Sequence, residues 1–125
     1  MNGKTNYLVD TNIIIYYLNG DKIAIDWLKE HKDRLSISII VSMEVLSYPF
    51  TEQEDEIVRR FLGAFRLFDL DQSIFEKTIQ LRRTHKIKLP DSIIAATASC
   101  HNLTLVTRNV SDFNNLNIEI FNPFQ

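Results

Sequence analysis

At 125 residues, with 45% hydrophobic and 24% charged side chains, the chain suits one compact domain with a packed core and excludes a disordered chain. A formal net charge of −2 and a pI of about 5.9 exclude the molecule-wide basic footprint of a strongly basic nucleic-acid-binding domain, so any such contact has to be local. Cys100 is the sole cysteine, which excludes an internal disulfide, a Cys-based zinc site and CxxC redox chemistry, and fits a reducing cytoplasm.

In chain order, Tyr7-Leu8-Val9 predicts a short strand that runs out into Asp10-Thr11-Asn12, and the apolar run from Ile13 to Leu18 predicts a helix. That run is far shorter than the roughly 20 residues of a membrane span, so a soluble protein without an amino-terminal secretion signal is expected. Asn19-Gly20 stops the helix, and Asp21 caps a second one through about His31, with Ile23, Trp27 and Leu28 on one side. Leu35-Ser36-Ile37-Ser38-Ile39 alternates with period two, the mark of a strand. Ser42 is the expected cap of a third helix over Met43, Glu44, Val45 and Leu46, which sets Glu44 in its first turn; the helix ends near Tyr48-Pro49.

Thr51 opens a helix whose start carries Glu52, Glu54, Asp55 and Glu56, where the dipole favours negative charge, so these acids read as solvated helix starts. Ile57, Val58, Phe61, Leu62 and Phe65 follow at helical spacing. Phe68-Asp69-Leu70 predicts a short strand, and Asp71 caps a helix from Ser73 to His85 with Ile74, Phe75, Thr78, Ile79 and Leu81 facing inward. The aromatics Phe61, Phe65, Phe68 and Phe75 fit core packing better than base stacking. Pro90 suits a first helical turn, and Ile93, Ile94, Ala95, Ala96, Ala98 and Ser99 give a helix rich in small residues, ended by Asn102. Leu103 to Val106 predicts a buried strand and Ile118 to Phe121 a final one. Strands separated by helices predict an α/β fold, one domain over residues 1–125, with a mainly parallel sheet of about five strands covered on both faces. Its working surface lies at the strand carboxyl ends.

Four acids fall at ends of these elements: Asp10, Glu44, Asp91 and Asp112. Taken singly, each has an ordinary explanation. Asp10 can cap a helix, Glu44 and Asp91 suit the positive end of a helix dipole, and Asp112 can terminate a turn. Gathered together, they would repel and raise one another's pKa, and their natural occupant is a cation. Magnesium takes hard oxygen ligands and keeps several waters, so a few carboxylates can hold it against phosphate, where it activates water and offsets charge. No P-loop, GxGxxG or HExxH is present, and His31, His85 and His101 lack a paired metal-ligand spacing.

Tyr7-Leu8-Val9-Asp10-Thr11-Asn12 resembles the opening motif of the PIN-domain nucleases, most closely the VapC-type ribonuclease toxins of bacterial and archaeal toxin–antitoxin pairs. Ser42-Met43-Glu44-Val45 resembles the part that carries the family's second acid, Leu89 to Ala98 the part with its third, and Leu105 to Phe113 its closing motif. The resemblance spans essentially the whole chain. It implies a PIN-like three-layer α/β/α sandwich and a metal-dependent endoribonuclease that uses Mg2+ or Mn2+. Asp10 and Asp91 are then metal ligands, Glu44 helps to ligate metal or orient water, and Asp112 assists. Asn109 stands where many relatives carry Asp, so one tightly held metal and a weaker second are expected. Thr11, Asn12, Thr107 and Asn109 become supporting residues. An RNA substrate, a cognate antitoxin protein covering the site and a homodimer are further implications.

The basic segment Arg82, Arg83, His85, Lys86 and Lys88 precedes Asp91 and could receive RNA phosphates, although cations at a helix carboxyl end also suit its dipole. Arg108 is another candidate phosphate contact. Two other functions compete. A phosphatase of the haloacid dehalogenase kind would use Asp10 as nucleophile, but typically needs a second Asp two residues on, where this chain has Asn12. A PIN-like module that binds metal and nucleic acid without cleavage, working with a partner protein, is the other.

Overall fold

Five short strands and six helices alternate along residues 5–125, the part of the chain that the computed structural model describes. Residues 1–4 of the expected single domain lie outside the described residues. Strands β1 (Tyr7–Val9), β2 (Leu35–Ser38), β3 (Arg66–Phe68), β4 (Thr104–Val106) and β5 (Ile120–Phe121) form one sheet in the order β3-β2-β1-β4-β5, with every neighbouring pair parallel. Parallel neighbours need crossover connections. Helices α1 (Thr11–Leu18) and α2 (Lys22–Glu30) supply the first, α3 (Ile39–Leu46) and α4 (Glu52–Leu62) the second, and α5 (Gln72–Thr84) and α6 (Leu89–Cys100) the third. An irregular segment with a 3-10 turn at Val110–Phe113 joins β4 to β5. The result is the expected α/β/α sandwich around a parallel sheet.

From the central β1 the chain builds β2 and β3 on one side, then returns to build β4 and β5 on the other. In open α/β sheets such a reversal opens a crevice at the strand carboxyl ends. The register pairs Val9 with Val106 and Val106 with Phe121, so Asp10 and Thr107 leave the sheet side by side. The Asp10 N–H donates to the Val106 carbonyl at 2.9 Å, and the Thr107 N–H to that of Phe121 at 3.0 Å.

Leu8, Val9, Leu105 and Val106 form the buried centre of the sheet. Helix α6 is buried without a break from Ser92 to Ala98, because it packs against α5 and also touches α3, β2 and β4. A helix buried this thoroughly has to satisfy its hydroxyls internally. Ser92 Oγ donates to the Leu89 carbonyl at 2.6 Å and Thr97 Oγ1 to that of Ile93 at 2.8 Å. Among the described residues no helix is long and apolar enough to cross a membrane.

The order of strands and helices agrees with the pattern read from sequence, and the stops at Gly20 (φ +82°) and Asn102 (φ +53°) fall where expected. The departures have local causes. Ser38, not Ser42, caps α3: its hydroxyl accepts the Ile40 N–H at 3.2 Å, so Ile39 leaves the strand and Glu44 falls in the second helical turn, not the first. Strand β3 begins at Arg66, two residues before the expected Phe68, and ends there; Asp69 turns its carboxylate onto the Leu70 N–H at 2.9 Å. Ile23 is exposed and Ala24 buried in its stead. Phe75 is also exposed and Ile79 half-buried, because α5 buries a narrow stripe of Ile74, Thr78 and Leu81.

Candidate functional site

Asp10 occupies the step from β1 to α1, where it has extended backbone (φ −76°, ψ 159°) and is 5% exposed. Its Oδ1 accepts the Thr11 N–H at 2.8 Å, so it caps α1 as well as facing the crevice. Its Oδ2 accepts from the Thr107 hydroxyl at 2.8 Å and from Asn12 Nδ2 at 3.0 Å. Asn12 Nδ2 also donates to Thr107 Oγ1 at 3.1 Å, while Asn12 Oδ1 accepts the Arg108 N–H at 3.1 Å. The Asn109 N–H donates to Thr107 Oγ1 at 3.0 Å. The β1 and β4 exits are thus laced together through one buried carboxylate. Burial raises the Asp10 pKa above the ordinary carboxylate value; the Thr107 and Thr11 donors oppose this, the Glu44 charge adds to it, and Asn12 opposes it.

Glu44 reaches this network through Thr11, whose hydroxyl donates to Glu44 Oε1 at 2.6 Å. Asp91 lies in the first turn of α6, after Pro90. The cap position there is Lys88, which offers no side-chain bond, and the Asp91 carboxylate takes no hydrogen bond from the described residues. It is therefore not a hydrogen-bonded cap, although its place in the first turn suits the helix dipole. Its pKa is pushed up to about 6, first by partial burial and then by the charges of Asp10, Asp112 and Glu44, with Lys88 opposing them. Asp112 stands exposed in the 3-10 turn before Phe113. All four acids therefore act on one electrostatic environment, centred on Asp91.

Among the described residues, no three His, Cys, Asp or Glu side chains form a closed ligand cluster. The donor chemistry still suits a hard divalent cation. Magnesium is commonly held by one or two carboxylates plus waters and phosphate, and mutually repelling acids are what such a charge would relieve. Beside Glu44 opens a groove of about 810 Å³, with Ile15, Leu18, Tyr48, Pro49 and Phe50 in its walls.

The family model described as PIN domain matches residues 7–118. The chain belongs to the PIN-domain family. Within that family this PIN domain is of the VapC type, as the motifs suggested. Ribonuclease VapC10 of Mycobacterium tuberculosis is 36% identical over 113 residues, covering 85% of this chain and 84% of that protein. Toxin FitB of Neisseria gonorrhoeae is 29% identical over 96 residues, 73% of this chain and 68% of that one. Among solved structures, a toxin-antitoxin complex from Klebsiella pneumoniae matches at 35% identity with a TM-score of 0.86, over 96% of this chain and 99% of that one.

In this PIN domain, Asn12 holds the place that a phosphatase would give to a second Asp. Its amide is committed to Asp10 and Thr107, which disfavours that alternative. Of the basic segment, Lys88 acts on Asp91, while Arg82 Nε donates to the Ile87 carbonyl at 3.2 Å and ties the α5–α6 loop. Arg83 and Lys86 are exposed, and Asn109 presents its backbone, not its side chain, to Thr107. One feature escapes sequence reading: the Arg108 guanidinium rests on Tyr16 and Phe124, at 5.1 and 4.4 Å from their ring centroids. Tyr16 blends into an apolar helix and Phe124 lies beyond the last predicted strand, so neither carries a signal.

Proposed function

We propose that this PIN domain is a metal-dependent endoribonuclease of the VapC toxin type, hydrolysing RNA phosphodiester bonds in the cytoplasm. The observation that carries the reading is the network at the β1 and β4 exits that ties Asp10 to Thr107 and, through Thr11, to Glu44, with burial and the charges of Asp10, Asp112 and Glu44 raising the pKa of Asp91. Asp10 and Asp91 would hold Mg2+ or Mn2+, with Glu44 and Asp112 flanking. When bound, such a cation offsets charge on a phosphodiester and makes a nearby water easier to deprotonate.

The chain's own groups supply the rest. Thr107 and Asn12 on one oxygen and the Thr11 N–H on the other fix the rotation of the Asp10 carboxylate, leaving lone-pair capacity on Oδ1. The Thr11 hydroxyl restrains Glu44 Oε1, which leaves Oε2 to orient a water or take its proton. Lys88, next to Asp91, offers positive charge to a phosphate entering the crevice. A cognate antitoxin covering the site and a homodimer belong to the same proposal. The antitoxin partner is supported by likeness to a chain solved in a toxin-antitoxin complex.

The test is cleavage of RNA in manganese by purified protein free of any partner. Asp10→Asn and Asp91→Asn should each cut activity by about a hundredfold or more, as expected when a metal ligand is neutralised. Undiminished activity in both variants overturns the reading. Tight RNA binding by the unmodified protein without any cleavage would instead identify a binding module that works with a partner.

A further inference from the structure

We infer that Arg108, one residue after the Thr107 that bonds Asp10, is a pre-built receptor for an RNA phosphate, its guanidinium seated on a platform of two aromatic rings. The inference rests on the reading of RNA as substrate. The rings of Tyr16 and Phe124 lie 5.0 Å apart at an interplanar angle of 53°, and the guanidinium sits over both. Its main chain is fixed as well, since the Arg108 N–H is bound by Asn12 Oδ1 at 3.1 Å. The preceding residue, Thr107, bonds Asp10 directly. The root of this side chain is thus anchored in the network that holds Asp10, and its head on the two rings.

Arg108 is nevertheless exposed, and among the described residues its guanidinium has no carboxylate partner and donates no hydrogen bond. A planar fork of N–H donors, stacked from below and free at its edge, matches a phosphate in geometry as well as charge. Immobilising a free arginine side chain costs binding energy, and the ring platform removes part of that cost before ligand arrives. Stacking by itself is not the argument. Arg66 rests on Phe68 at 4.6 Å in the same way, but on the edge strand β3, two strands away from β1. What sets Arg108 apart is its place, one residue from the Thr107 that bonds Asp10.

The experiment measures binding of a short fluorescein-labelled single-stranded RNA in EDTA, over a series of potassium chloride concentrations, alongside thermal melting. Arg108→Gln should weaken binding about tenfold, and should make the dependence of log K on log salt shallower by roughly 0.7, the value for one phosphate contact on a single strand. Arg108→Lys should retain the salt slope while losing part of the affinity. Phe124→Leu should do likewise, weakening binding by about two- to fivefold through loss of one ring. If Arg108→Gln lowers the melting temperature but leaves affinity and salt slope unchanged, Arg108 is only a structural clamp and the inference is overturned. Loss of cleavage in Asp10→Asn with no binding change in Arg108→Gln sinks this inference alone. An unmodified protein that does not cleave RNA, with the Arg108 slope change present, sinks the nuclease reading and sustains this one.

Discussion

Thr107 has no exposed surface and a fully used hydroxyl: it donates to Asp10 Oδ2 and accepts from Asn12 Nδ2 and the Asn109 N–H. Thr107→Val keeps the shape and removes all three bonds. It should cost about 1–3 kcal/mol in chemical denaturation and lower RNA cleavage, and Thr107→Ser should restore most of both. Asp91 gives a prediction in pH. Its folded pKa of about 6 exceeds the ordinary aspartate value of 3.8, so the folded chain keeps the proton longer. Between those values the folded state binds more protons than the unfolded one, so this group makes metal-free stability fall as pH rises from about 4 to about 6. The difference between unmodified protein and Asp91→Asn should open across that window. Above it the variant should be the more stable by about 1 kcal/mol, a figure reduced for the solvent screening of a half-exposed carboxylate. Equal pH profiles for the two proteins would contradict the convergence of charge on Asp91.

At the scale of elements, the site depends on where strands stop and helices begin. Asp10, Asp91 and the turn holding Asp112 were legible because their neighbours carry direct signals: a β-rich run before Asp10, Pro90 at a helix start, and a buried strand before Thr107. The start of α3 was less legible. Alternation continues through Ile39 and Ser42 stands directly before Met43 and Glu44, so the local pattern points to Ser42, whereas Ser38 is the cap in the structure. Glu44 still reaches the crevice through its bond to Thr11, an interaction between residues far apart in sequence that no local pattern encodes. Helix α6 carries Asp91 at its start and buries Ala95, Ala96 and Ala98 close to its neighbours. Ala96→Leu should therefore overpack it, costing about 1–3 kcal/mol and displacing Asp91, seen as joint loss of stability and cleavage. Thr51→Ala provides the contrast. It removes the capping box of α4 and should cost about 1 kcal/mol with cleavage unchanged, since α4 contributes no acid to the crevice.

For the molecule as a whole, the near-balanced charge leaves the acid cluster as a local negative feature, opposed by Lys88. Added manganese should raise the melting temperature, because a ligand that binds the folded state alone stabilises it by mass action, by about 2.7 kcal/mol at a hundred times its Kd. Asp91→Asn should shrink that rise; an identical rise would remove Asp91 from the ligand set. The sheet order has a further consequence for biosynthesis. Because β1 lies between β2 and β4, Asp10 meets Thr107 after translation has passed β4, and the Thr107 amide waits in turn for Phe121. A nascent polypeptide that has passed α3 can already join Thr11 to Glu44, yet it lacks the Thr107 hydroxyl that holds the second Asp10 oxygen, so the carboxylate gains its fixed orientation only once the late-made β4 has docked beside β1.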